Sequence, residues 1–426
     1  EIRNEMFIES ENQLLKNIDN NIFFLKAPTG GGKSNMAVNA SLLLSKDSMR
    51  KIIYVYPFNT LVEQNIEILA KIFKENNIVD KIAVINSITP IKLCEKIDTI
   101  EDEDNKELYK RSLLNRQFLN YPFILTTHVS LFELMFSTNK ENAASFCQLA
   151  NSVIVLDEIQ SYKNTIWTEI MTFLQSFSKI LNIKIIIMSA TLPQLNYLTG
   201  KSSKVINLLP NAKKYFLNPI FKERVIASYE LLDERCTDKE LMQHIIKNSK
   251  TNGKILVEFI RKSAAKDFYQ RLKQEYGDNI LIECITGEDN QIDRKRILQK
   301  VNNSEKIILI ATQVIEAGVD IDMDLGYKNI AKLDSDEQFM GRINRNYMDK
   351  NKKGKVYFFN LDKPEKIYHN DFRINSELML TNESMRKILA EKDYDCYYSL
   401  VMNLLKTCWN DKKDKNGFET FERDIS

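Results

Sequence analysis

The chain has 426 residues, more than a single hydrophobic core usually contains, so two or three lobes are expected. Its 60 Lys and Arg residues nearly balance 58 Asp and Glu residues, and the net charge of +2 excludes a general attraction to polyanions. No apolar run approaches the roughly 18 residues that span a bilayer, and the N-terminus lacks the pattern of a secretion signal. We therefore expect a soluble cytoplasmic protein without a membrane partner.

Cysteine and histidine are too scattered to suggest a metal site. The six cysteines include no C-x-x-C pair of the kind that holds zinc, and the three histidines have no acidic or histidine partner at metal-ligand spacing. They are Cys94, Cys147, Cys236, Cys284, Cys396, Cys408, His128, His244 and His369. The cysteines are predicted to be free thiols, and none of the histidines is predicted to be a ligand.

Short β-branched or aromatic runs alternate with amphipathic helical stretches along the chain, a pattern typical of parallel sheets covered by helices. The first series of predicted strands is Ile22–Leu25, Lys51–Tyr56, Phe123–Thr126, Val153–Leu156 and Lys184–Met188. The second series is Lys254–Phe259, Ile280–Cys284, Lys306–Ile310, Gly326–Lys332 and Lys355–Asn360, and helices are predicted over Asp371–Lys392 and Asp395–Thr407. Glycine, serine and proline punctuate residues 200–219 between the series. We predict an α/β fold with lobes at 1–210 and 211–365 and a helical extension at 366–426.

A glycine-rich loop, Ala27–Ser34, follows the first predicted strand and precedes a helical run, which is the context of a phosphate-binding loop. Glycines let backbone N–H groups turn inward at the positive end of the helix dipole, where phosphates bind. Lysine adds charge for the β- and γ-phosphates, and the serine hydroxyl completes a Mg²⁺ shell. The residues predicted to hold ATP are Thr29, Gly30, Gly31, Gly32, Lys33 and Ser34. The alternative, an ordinary turn before a helix, does not account for the ordered strand, loop, Lys-Ser pair and helix.

Two carboxylates, Asp157 and Glu158, follow the apolar run Val153–Leu156 and are therefore predicted at the carboxyl edge of the sheet. Asp157 is suited to hold Mg²⁺, and Glu158 to orient and deprotonate the water that attacks the γ-phosphate. An acidic pair after a strand is more often a helix cap, so this prediction depends on the phosphate loop upstream. Ser189 and Thr191, after the next strand, are predicted to couple the acidic pair to the rest of the protein.

Two segments in the second half, Ile310–Asp322 and Gln338–Arg345, resemble motifs five and six of superfamily-two helicases in order and spacing. The resemblance implies two RecA-like lobes that clamp ATP and Mg²⁺. It also implies catalytic roles for Gln160, Gln338, Arg342 and Arg345 and nucleotide contacts from Gly318 and Asp320. Arginine fingers in other phosphate-hydrolysing enzymes accelerate turnover by about 10³ to 10⁵.

More narrowly, the chain resembles the helicase part of the CRISPR-associated helicase-nuclease of type I systems, the Cas3 family. The features that carry this resemblance are Ile2–Glu5, Ala27–Ser34, Tyr56–Leu61, Asp157–Tyr162 and Gly341–Arg345. It implies 3′ to 5′ movement along single-stranded DNA and partnership with a CRISPR RNA-guided surveillance complex. The implied DNA contacts are Pro57, Thr60, Thr127 and Thr312.

The sequence departs from that family in two ways. Phe339 stands where many relatives have arginine, so one phosphate contact is expected to be lost. The family's HD nuclease needs several His and Asp ligands, and three isolated histidines cannot supply them. We expect the nuclease to be a separate subunit or to lie upstream of Glu1. The alternatives are another superfamily-two DNA or RNA helicase, or an ATP-gated recruitment module that does not translocate.

Overall fold

The computed structural model describes residues 1–46, 49–73, 81–86, 102–137, 139–195, 204–277, 279–316, 319–347, 352–368 and 371–412. The chain divides near Ala212 and Lys213 into two compact units. Each unit is built on one parallel sheet with helices around it. In the part of the chain that the structure describes, no helix is long and apolar enough to cross a membrane.

The first unit contains a seven-stranded parallel sheet within its described residues, in the order β3-β4-β2-β5-β6-β1-β7. Its strands are β1 (Ile22–Lys26), β2 (Lys51–Tyr56), β3 (Ile82–Ile85), β4 (Phe123–Thr127), β5 (Ser152–Asp157), β6 (Lys184–Ser189) and β7 (Val205–Asn207). Its helices are α1 (Ile2–Lys16), α2 (Lys33–Leu44), α3 (Asn59–Ile72), α4 (Asp102–Gln117), α5 (His128–Phe136), α6 (Lys140–Cys147) and α7 (Trp167–Ile180). Every residue of β5 is buried, as expected for a central strand covered on both faces.

The second unit contains a six-stranded parallel sheet within its described residues, in the order β10-β11-β9-β12-β13-β8. Its strands are β8 (Val225–Ser228), β9 (Lys254–Glu258), β10 (Ile282–Ile285), β11 (Ile307–Ala311), β12 (Leu325–Asn329) and β13 (Gly354–Phe359). From the unit boundary onward the helices are α8 (Ala212–Phe216), α9 (Pro219–Lys222), α10 (Glu230–Asp233), α11 (Asp238–Ser249), α12 (Lys262–Tyr276), α13 (Gln291–Asn303), α14 (Leu333–Met340), α15 (Glu383–Glu391) and α16 (Tyr394–Lys412). A core of aliphatic and aromatic side chains joins α11 and α12 to the central strands.

The predicted fold class of two parallel-sheet lobes is confirmed, and the ten predicted strands are present with shifted ends. Three short strands were missed, namely β3, β7 and β8. The interpretation of residues 200–219 as pure punctuation is wrong, because β7 lies there and pairs with β1 at the edge of the sheet. A three-residue edge strand has too few residues to show a periodic pattern.

The predicted helix over Asp371–Lys392 is wrong in its first half. That half contains two single 3₁₀ turns, Phe372–Ile374 and Ser376–Leu378, and the α-helix begins only at Glu383. Asn375 and Asn382 accept hydrogen bonds from backbone N–H groups two residues ahead, at 3.0 Å each. Such local bonds favour turns and caps over continuous helix.

Candidate active site

The phosphate loop Ala27–Ser34 connects β1 to α2. Gly30 and Gly32 have φ angles of +80° and +91°, a left-handed conformation that side chains disfavour. Helix α2 begins at Lys33, so its first-turn N–H groups lack partners within the helix and can bind an anion. The Ser34 side chain is exposed at this helix start, whereas Gly31 is buried and Thr29 is half-buried.

The acidic pair lies at the same sheet edge because β5, β6 and β1 are neighbours. Asp157 is the last residue of β5, and Glu158 leaves the strand with a φ of +50°. This conformation is uncommon for a residue with a side chain, and such strain is often found at functional sites. The ammonium of Lys33 lies 3.1 Å from Oε1 of Glu158, so residues 125 positions apart form an ion pair.

Glu158 also accepts hydrogen bonds at its second oxygen. The Ser189 hydroxyl, at the end of β6, donates to Oε2 over 2.7 Å, and the buried Gln160 amide donates to the same oxygen. The backbone N–H of Thr191 donates to the Ser189 hydroxyl at 3.0 Å. The residues predicted from the phosphate loop, the acidic box and the Ser-Ala-Thr segment therefore form one connected set.

The two carboxylates differ in their electrostatic surroundings. Burial would raise the pKa of Glu158, but the charge of Lys33 and hydrogen bonds from Ser189 and Gln160 outweigh it and lower that pKa. Burial and the neighbouring charge of Glu158 raise the pKa of Asp157. Oδ1 of Asp157 is buried and accepts no hydrogen bond from the residues that the structure describes. A buried carboxylate oxygen beside an exposed serine hydroxyl suits a hard, oxygen-seeking cation such as Mg²⁺.

His128 is a member of this neighbourhood that the sequence analysis did not identify. Its imidazole is fully buried at the start of α5 and stacks on Tyr162 with ring centroids 4.5 Å apart and an interplanar angle of 28°. Burial lowers the pKa of His128 to about 3, so the ring is neutral. Because Tyr162 follows the acidic box directly, the stack connects the end of β4 to that box. A histidine next to a predicted DNA contact was the available signal.

The predicted nucleic-acid contacts differ in exposure. Pro57 and Thr60 follow β2 and are half-buried, with Thr60 in the first turn of α3. Thr127 ends β4 opposite Tyr56, and its hydroxyl caps α5 by accepting from the Ser130 N–H at 3.3 Å. Thr312, after β11 in the second unit, is also buried. The Thr127 and Thr312 side chains therefore present little surface, and a strand would meet mainly the backbone there.

The arginines predicted from motif six are held within the second unit. Arg342 is buried, and its Nε donates to the carbonyl of Ile315 at 2.9 Å while Nη2 donates to that of Glu316. Arg345 forms an ion pair with the exposed Asp320 at 3.3 Å. Gln338 is half-buried on α14, and Gly318 lies outside the described residues. Motif five thus provides the backbone carbonyls that orient the Arg342 guanidinium.

Phe339, where many relatives have arginine, is a core residue. Its side chain is fully buried, and a Cβ added to Gly326 would lie 2.7 Å from its ring. The ammonium of Lys328 lies 5.4 Å from the ring centroid. The phenyl ring therefore fills space between α14 and β12 and leaves the phosphate chemistry to other side chains.

Two family profiles match separate parts of the chain. Residues 10–198 match the DEAD/DEAH box helicases, and residues 251–348 match the C-terminal part of the CRISPR-associated nuclease/helicase Cas3. The chain belongs to the Cas3-like helicases. Within this family, it is 26% identical over 367 residues to a putative CRISPR-associated nuclease/helicase Cas3 of Methanocaldococcus jannaschii, which covers 83% of the chain and 48% of that relative. The chain thus spans about half the length of this curated relative.

Solved structures show the same fold at low sequence identity. Cas3 of T. fusca superposes with a TM-score of 0.66 at 14% identity, covering 96% of this chain and 56% of that one. The S. cerevisiae helicase Dbp5 bound to RNA superposes with a TM-score of 0.57 at 16% identity, covering 94% and 93%. These matches identify two tandem RecA-like lobes, as predicted.

Proposed function

We propose that this Cas3-like chain is an ATP-driven translocase that moves along single-stranded DNA in a type I CRISPR interference system. The observation that carries the proposal is the contact set at the edge of the first sheet. Lys33 of the phosphate loop meets Glu158, and Ser189 and Gln160 hydrogen-bond the same carboxylate. A lysine, a positioned carboxylate and polar donors beside a helix start are the groups that nucleotide hydrolysis requires.

In this proposal the loop backbone from Thr29 to Gly32 and the amine of Lys33 hold the phosphates of ATP. Phosphate oxygens compete with Glu158 for the ammonium, since both are anions within reach of one cation. Release of Glu158 from Lys33 leaves a carboxylate with a low pKa to orient and accept a proton from the attacking water. Ser34 and Asp157 would hold Mg²⁺, which neutralises charge developing on the phosphates.

Ser189 and Thr191 are proposed to report the nucleotide's condition to the rest of the unit. Because the Ser189 hydroxyl binds Glu158 and accepts from Thr191, a change at Glu158 alters the backbone that follows β6. Gln338, Arg342 and Arg345 are proposed to complete the site, with Asp320 and Gly318 contributing to nucleotide binding. Arg342 would stabilise charge on the transferring phosphoryl group.

Single-stranded DNA is proposed to bind at Pro57, Thr60, Thr127 and Thr312 through the phosphate backbone, without base readout. Movement is proposed to run 3′ to 5′. The proposed partners are a CRISPR RNA-guided surveillance complex and an HD nuclease, either a separate subunit or another part of a longer product. The pure chain is accordingly predicted to hydrolyse ATP without cutting DNA in Mg²⁺ or transition-metal buffers.

The test compares ATP hydrolysis by the pure chain with single-stranded DNA, single-stranded RNA and no nucleic acid, followed by strand displacement from a partial duplex. Stimulation by DNA together with displacement supports the proposal. Stimulation by RNA alone would identify an RNA helicase, an alternative favoured by the superposition on an RNA-bound helicase. ATP binding without displacement would identify a recruitment module.

A further inference from the structure

The helix that leads to Arg342 carries an unusual number of buried charges. Helix α14 has eight residues, and three of them, Asp334, Asp336 and Glu337, are buried carboxylates. Isolated buried charges are costly, so each requires a cation or hydrogen-bond donors. The cations that face these carboxylates come from other elements of the second unit.

Asp334 faces an arginine from the segment after the last strand. The guanidinium of Arg373 is fully buried, with Nη1 donating to Asp334 over 3.2 Å. Its other edge is held by Asp371, through Nε at 2.9 Å and Nη2 at 2.6 Å. A two-pronged contact of this kind fixes the plane of the guanidinium and not only its charge.

Glu337 faces a lysine at the end of α15. The ammonium of Lys392 donates to Oε2 of Glu337 at 2.5 Å, and both side chains are less than one-tenth exposed. Lys392 itself has a left-handed φ of +57° as the C-cap of α15. Helix α16 follows two residues later and is anchored by the fully buried Tyr394, Tyr397 and Tyr398.

Asp336 faces the sheet instead of the C-terminal segment. Lys328 on β12 lies 4.0 Å from Asp336 and 2.9 Å from Glu316, and it also contacts Glu258. The Glu316 carbonyl accepts a hydrogen bond from Arg342. One face of the ionic network is therefore continuous with the backbone that orients Arg342.

We propose that the segment from Asp371 to Lys392 is a positioning element for motif six, with Arg373 and Lys392 acting on Arg342 and Gln338 through α14. Buried ion pairs contribute little net stability compared with apolar packing, but they specify one arrangement of the groups they join. Two cations from this segment and one from the sheet fix α14 at three points along its length. This inference rests on the proposed ATPase function of the same site.

The test uses Lys392→Met, which keeps most of the side-chain volume and removes the charge. The matched control is Arg386→Met on the same helix, because Arg386 pairs with Asp233 of α10 and not with α14. A third variant, Glu337→Gln combined with Lys392→Met, removes the carboxylate that the first change would leave unpaired. For each, we would measure kcat with saturating single-stranded DNA, the Kd of ATP, Tm, and amide hydrogen exchange across residues 333–345.

Lys392→Met is expected to lower kcat by between about fivefold and 10²-fold, the range for a displacement of about 1 Å in a catalytic group. The Kd of ATP should change little, and exchange in residues 333–345 should rise. The double variant should regain Tm but keep the low kcat and fast exchange, while Arg386→Met keeps parental kcat and exchange in that segment.

Parental kcat and exchange in Lys392→Met, or full recovery of kcat in the double variant, would overturn the positioning role. A parent chain without DNA-stimulated hydrolysis would instead defeat the proposed function. The exchange measurement would still decide whether Lys392 holds α14.

Discussion

The edge of the first sheet and helix α14 of the second unit use ion pairs in different ways. At the sheet edge, Lys33 and Glu158 are the proposed reactive groups themselves, and their side chains remain partly exposed. At α14 the pairs to Arg373, Lys392 and Lys328 are buried behind the proposed reactive residues. Substitution at the sheet edge should therefore change chemistry with the fold intact, whereas substitution behind α14 should change the position of groups it does not touch.

The largest effect is expected from Glu158→Gln. General-base catalysis contributes about 10² to 10⁴ to rate, and ATP hydrolysis should fall by a factor in that range. The Kd of ATP should stay equal or decrease, because the amide no longer competes with phosphate for Lys33. Single-turnover hydrolysis and nucleotide-binding titrations would measure the two quantities separately.

Loss of ATP binding in Glu158→Gln, with an unchanged Tm, would contradict this account. The ion pair would then be part of the binding site and not a contact that phosphate displaces. Lys33→Ala provides the opposite control, since it removes the cation that phosphate needs and should abolish tight binding of Mg-ATP.

The next effect concerns Arg342→Ala, which should lower kcat by about 10² or more and change nucleotide affinity much less, as for groups that act mainly in the transition state. Some loss of stability should accompany it, since the carbonyls of Ile315 and Glu316 lose their donors at a cost of about 1–3 kcal/mol. Steady-state kinetics and urea unfolding would measure both.

Arg342→Lys distinguishes the catalytic role from the structural one. An ammonium cannot span two acceptors with a planar fork, so rescue of kcat should be poor. If both Arg342 variants turn over ATP at nearly the parental rate with saturating DNA, the arginine serves only to hold motif five. The comparison between the two units would then need a different reactive residue.

The smallest effect is expected from His128→Ala at the border between the acidic box and a candidate DNA contact. An aromatic pair is worth about 1 kcal/mol, so DNA-stimulated turnover should fall by about fivefold. His128→Phe keeps a ring against Tyr162 and should retain most of the turnover, since the imidazole is neutral. Equal losses in both variants would assign the effect to the ring nitrogens and not to stacking.

Sequence patterns predicted the sheet edge well, because consecutive strand ends of a parallel sheet meet at one edge. The Lys33–Glu158 contact follows from two local motifs and this rule alone. Helix α14 is different: Arg373 and Lys392 lie in a segment without a motif, where the structure has 3₁₀ turns in place of part of the predicted helix. No local pattern states which cation a buried carboxylate meets, since that depends on how distant elements pack. His128 was missed for the same reason, because its partner Tyr162 lies on another strand's connection.

The close approach of β12 and α14 also limits how this chain can vary. A side chain at Gly326 would lie 2.7 Å from the ring of Phe339 and 3.0 Å from Ile343. Overpacking of this kind typically costs about 1–3 kcal/mol. Positions 326 and 339 should therefore change together in descendants of this sequence, with glycine tolerating the ring and a larger residue requiring a slimmer partner. The departure at Phe339 is then half of a paired substitution, and restoring arginine there alone would place a charge against a wall of the core.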